Sequence, residues 1–192
     1  DLNTVTVNNA DGSHSVFAFA EPIKYVDEEN KIKFIDNSLQ EVNALSGLMS
    51  GSAYVNEENE MSIRLPKNIQ SGVTVAQDDY EITMKPYSSQ SASPVKKDVD
   101  ALGAEQETVE YADALGEGVT LQYAAINSGL KESIVLEEYT GQSEFSFEIK
   151  TKNLACSTTY GGIVSFLDPE TDEMVFQFNR AWAIDSYAAE ED

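Results

Sequence analysis

Cysteine, histidine, tryptophan and basic residues are scarce in this sequence, and no long apolar run occurs. Cys156 stands alone, which removes an intrachain disulfide and any cysteine-rich metal site. His14 is the sole imidazole, and no G-x-S-x-G elbow accompanies it, so a Ser-His-Asp hydrolase has little to draw on. A membrane-spanning helix needs roughly 20 consecutive apolar residues, and no stretch approaches that. Cations number 12 against 34 acids, for a formal net charge of -22. Binding nucleic acid or anionic lipid begins with Lys and Arg neutralising phosphate, so neither nucleic acid nor a membrane surface is expected as a direct partner. Neutral or cationic partners and metal ions remain, and the simplest role of the charge is solubility.

What is present describes a folded domain. The 192 residues suffice for a full hydrophobic core, as one domain or two small ones. Apolar and aromatic contents of 41% and 9% argue against wholesale disorder. The chain opens at Asp1 and ends in AAEED, and we expect a trimmed piece of a longer, exported polypeptide.

Alternation with a period of two dominates. It places Met61, Ile63 and Leu65 on one face of MSIRLP, and Tyr80, Ile82 and Met84 on one face of YEITMK. GVTLQYA, EFSFEIK and EMVFQF repeat it through Val119, Leu121 and Tyr123, through Phe145, Phe147 and Ile149, and through Met174, Phe176 and Phe178. Turn signals such as Asp11-Gly12, Glu28-Glu29-Asn30, Asn127-Ser128-Gly129 and Asp168 to Asp172 separate these runs. The fold class expected is all-β, an antiparallel β-sandwich-like module of many short strands with at most one short helix. The helix candidate is IDNSLQEVNALSGL, where Leu39, Val42 and Leu45 recur at threes. A single module is expected over 1–192, with residues 88–106 as a loop or linker where two lobes would divide.

Each chemical candidate has a plainer explanation. His14 lies in a turn, Cys156 is expected to be a small buried hydrophobe, and a dyad between them has no local signature. Glycosidase-like carboxylate pairs could be drawn from so many acids, yet none stands in a distinctly apolar setting that would raise its pKa. LDPETDE offers Asp168, Glu170 and Asp172 as weak metal ligands, but it lacks the EF-hand spacing and glycine and reads better as a hairpin turn. Trp182, with the nine tyrosines, is the candidate platform for glycan stacking, although core packing explains most aromatics in alternating runs. Lys131 and Glu132 are adjacent on a strand, so they face opposite sides and form no catalytic pair. A structural ion pair with a residue elsewhere is expected of them.

Several phrases, in order, carry a family likeness. EPIKYVDEENKIKFIDNSL is followed by IRLPKN and DDYEITMKP, then by YADALGEGVTLQYAAINSGLKESIVLEE, and finally by FSFEIKTKNL and GGIVSFLDPETDEMVFQF. This set resembles the β-rich region ahead of the YD repeats in RHS-type, wall-associated-like proteins secreted by Gram-positive bacteria. The likeness spans most of residues 21–185. Departures are Asn30 and Asp172 at turn glycines, Phe34 near an expected tryptophan, and Thr120 at an expected Asp. The resemblance implies a non-catalytic structural or interaction module, secreted or on the cell surface, with no cofactor. Its partners would be neighbouring domains of the parent protein, or a cell-wall or host glycan. A carbohydrate-binding β-sandwich is the alternative.

Overall fold

The computed structural model describes residues 1–87, 89–101, 104–158 and 162–185. The chain forms two compact units, Asp1–Lys150 and Thr151–Asp192. The division therefore falls well after the expected linker.

The first unit opens with two hairpins. β1 (Thr4–Asn8) pairs with β2 (His14–Ala18), and β3 (Lys24–Val26) with β4 (Ile32–Phe34). Then follow β5 (Gln40–Glu41), α1 (Ala44–Ser50), β6 (Ser52–Asn56), β7 (Ser62–Pro66), a 3-10 turn at Ile69–Ser71, β8 (Val73–Gln77) and β9 (Tyr80–Pro86). Four strands come next: β10 (Val95–Ala101), β11 (Ala104–Tyr111), β12 (Val119–Ile126) and β13 (Gly129–Leu136). β14 (Phe147–Lys152) crosses the boundary and completes a six-stranded sheet, in the order β14-β9-β8-β7-β6-β5. The second sheet runs β10-β11-β12-β13, and all its pairings are antiparallel.

Cross-strand partners share a face, and this explains the core. Ile63 stands opposite Val75, which stands opposite Ile82. On the other sheet Val109 faces Tyr123, and Tyr111 faces Leu121. Ile63, Leu65, Val73, Val109, Tyr111, Leu121 and Tyr123 belong to one buried cluster drawn from both sheets, so the unit is an all-β sandwich. The Tyr111 hydroxyl, buried in it, donates to the Pro66 carbonyl at 2.7 Å. Outward positions are polar: Arg64 pairs with Glu81 at 2.6 Å, and the Thr74 and Thr83 hydroxyls meet at 3.1 Å.

One expectation is corrected here, and one is narrowed. Residues 88–106 are not simply a loop, because β10 and β11 pair from Val95–Glu110 to Ala101–Ala104. Lys and Asp residues hid the alternation of an edge strand there. Lys96 and Glu107 form an ion pair at 2.7 Å and also bind the backbone of Leu39, whose N–H donates to Glu107 at 2.7 Å and whose C=O accepts from Lys96 at 3.0 Å. This clip holds Leu39 in the core, so Leu39 is not part of a helix, and of the candidate stretch 35–48 only the end is helical, as the one short helix expected. That helix is α1, with Asn43 capping Ser46 N–H at 3.0 Å and Gly51 left-handed at φ 73°.

The second unit contains β15 (Ala155–Thr158), β16 (Val164–Leu167) and β17 (Met174–Phe178) in an antiparallel sheet of that order. Phe166 and Phe176 stand opposite one another and are buried, and Phe178 meets Phe166 edge-on at 5.0 Å.

Candidate functional site

One grouping of ligand-type side chains lies beside β4. The β3–β4 turn is organised by Asp27, whose Oδ1 accepts from the N–H groups of Lys31 at 2.9 Å and Glu29 at 3.0 Å. Lys33 sits 3.1 Å from its other oxygen. The Lys31 amide above all, with Lys33, holds the Asp27 carboxyl below its ordinary range. Asn30 takes the left-handed conformation at φ 60°, which asparagine tolerates and most side chains do not. Tyr25 is buried and its hydroxyl donates to Glu58 at 3.0 Å, tying the hairpin to the β6–β7 turn.

The hairpin leaves Phe34 61% exposed at the rim of an open cleft of about 730 Å³, lined also by Lys33, Ile35, Asp36, Asn37, Gln40 and Glu58. The Lys24 ammonium lies 5.4 Å from the Phe34 ring centroid and is anchored by the Thr4 carbonyl at 2.6 Å. Asp36 is held below its ordinary pKa, chiefly by the Ser38 N–H that it accepts at 2.9 Å. Gln40 donates to the Ser38 hydroxyl at 2.8 Å. Asn37 donates to Asn127 at 2.7 Å, while its own Oδ1 is buried without a hydrogen-bond partner. Asn127 in turn donates to the Pro22 carbonyl at 3.0 Å, so the β12–β13 turn braces the back of this segment.

A second polar feature was not legible in the sequence. Glu132 stands opposite Tyr123 on β13 and faces the core side, between Leu130 and Ile134. The Tyr123 hydroxyl donates to it at 2.7 Å. Burial raises the Glu132 pKa, partly offset by this bond, and burial raises that of Tyr123 as well. Two expectations fail here: an acid does occupy an apolar setting, and the partner of Glu132 is a phenol rather than a cation. The position follows from the register, since Leu121–Ile134 and Tyr123–Glu132 pairing leaves Glu132 no outward face. Lys131 points the other way and is exposed. Glu132 does not line the Phe34 cleft.

The residues singled out in the sequence are placed as follows. His14 is exposed at the start of β2, with Nδ1 2.7 Å from the Asn8 side chain. Cys156 is exposed rather than buried: it stands opposite the buried Phe166, but on β15, the edge strand of a small three-stranded sheet that leaves it uncovered. Asp168 binds its own turn, accepting from the N–H groups of Glu170 at 2.6 Å and Thr171 at 2.9 Å, while Asp172 adopts φ 59°. Its carboxylate is thus engaged by the hairpin, and among the described residues no group of three or more His, Cys, Asp or Glu side chains is placed to hold a metal ion. Trp182 is 74% exposed after β17.

Comparison with protein-family models, curated proteins and solved structures gives no match. The Phe34 cleft combines one aromatic surface with fixed acceptors, an arrangement suited to binding. The Glu132–Tyr123 pair lies on the core side of an edge strand, where an inward-pointing charge discourages a further strand from adding.

Proposed function

We propose that this chain is a non-catalytic structural or interaction module of a larger secreted or cell-surface bacterial protein, of the kind that precedes YD repeats. The observation that carries the reading is the orientation of α1. Leu45, Leu48 and Met49, spaced to share one helical face, are 75%, 77% and 85% exposed. Gly47 forms the buried face, where a Cβ would lie 2.9 Å from the Ser52 carbonyl oxygen. A capped helix seated on its glycine and directing its leucines to solvent supplies an apolar contact surface for a neighbouring domain. Asn30 and Asp172 add support, because both occupy left-handed positions where the resembled sequences carry glycine.

Hydrogen exchange tests the reading on the full-length parent polypeptide. Amides 44–50 are expected to exchange more slowly in the parent than in this chain alone. Equal exchange in both would remove the docking role of α1. A carbohydrate-binding module is the second reading, favoured by the exposure of Trp182.

A further inference from the structure

We infer that the Phe34 cleft is a binding subsite for a neutral saccharide. The inference takes up the saccharide reading but moves the site from Trp182 to the first unit, so either location can fail without the other. Saccharides offer a ligand surface of two kinds, hydroxyls that donate hydrogen bonds and C–H faces that pack on aromatic rings. The cleft matches both. Phe34 presents an exposed ring, and Asp36, Glu58 and Gln40 surround it with oxygen acceptors. These acceptors are oriented in advance by Ser38 and Tyr25, so little side-chain freedom is lost on binding.

The same geometry argues against other ligand classes. An anion would meet Asp36 and Glu58 within a chain of net charge -22. An organic cation at the Phe34 ring would be repelled by the Lys24 ammonium, fixed 5.4 Å from the ring centroid by the Thr4 carbonyl, a penalty that a neutral ligand on the exposed part of the ring does not meet. A wholly apolar ligand would bury the two carboxylates without compensation. A neutral polyol avoids all three penalties.

The test is a titration of the ¹⁵N-labelled chain, followed by amide chemical shifts, with glucose, galactose, mannose and N-acetylglucosamine, and with choline chloride as the cation probe. At least one sugar is expected to give saturable shifts clustered at Lys33–Asn37, Gln40 and Glu58. Phe34→Ala should weaken that binding about tenfold, the loss of one stacking contact. Gln40→Ala, at an exposed side chain, should weaken it about threefold and serves if Phe34→Ala disturbs the fold. Trp182→Ala should leave it unchanged. Silence with all four sugars overturns the inference, as does saturation by choline alone. Shifts confined to the Trp182 indole overturn the cleft while favouring the second reading.

Discussion

Glu132 shows how one residue sets a pH dependence. Its pKa is raised in the fold by burial, with the Tyr123 bond acting in the opposite direction. Between the unfolded and folded pKa values the native state therefore binds more protons than the unfolded state. Its contribution to stability is full below the unfolded value and is lost as pH rises through the folded one. Glu132→Gln keeps an acceptor for the Tyr123 hydroxyl and removes the charge. The variant should be more stable than the parent near pH 7, on the order of 1 kcal/mol, and this advantage should vanish in acid. Urea unfolding at several pH values measures it, and a pH-independent difference would mean that charge is not the cause.

At the scale of elements, α1 sets two effects against each other. Gly47→Ala gains about 1 kcal/mol of intrinsic helix propensity. It also drives a Cβ to 2.9 Å from both the Ser52 carbonyl oxygen and the Lys67 ammonium. The lysine can move aside, but the carbonyl belongs to the strand that starts beside the helix. We expect the clash to win, with a net loss of about 1 kcal/mol or more and faster exchange of amides 44–50. A stabilised variant would show that the helix is free to shift. This helix also marks the limit of reading elements from the sequence. Ile63, Leu65, Leu121 and Tyr123 announced their buried faces through alternation, and the Asn127-Ser128 turn was equally plain. Leu39 kept a helical period with Val42 and Leu45, yet a side-chain clip from Lys96 and Glu107, far along the chain, pulls it into the core instead. Leu136 alternates correctly but is 39% exposed, because it ends an edge strand. The Phe34 cleft was hidden for a related reason: its members come from β4, the segment after it, β5 and the β6–β7 turn, and only tertiary pairing assembles them.

For the whole molecule, the division after Lys150 makes a testable claim about cooperativity. It cuts through β14, which is the edge strand next to β9 and contributes Phe147 to the sandwich core. The folding unit should therefore follow the strand and not the division itself. A chain ending after Lys152 keeps β14 whole and is expected to unfold in a single urea transition with its Tyr111–Tyr123 core intact. A chain ending after Ser146 removes Phe147 with all of β14 and bares the edge of β9, leaving only the bond from Tyr87 N–H to the Ser146 carbonyl, 2.8 Å long, just beyond it. Loss of a partly buried phenylalanine and a full strand should cost about 3 kcal/mol or more, enough to broaden or abolish the transition in a domain of ordinary stability. Circular dichroism of the two truncated chains separates the outcomes. Equal stability would mean that β14 belongs energetically with the second unit, despite its place in the six-stranded sheet.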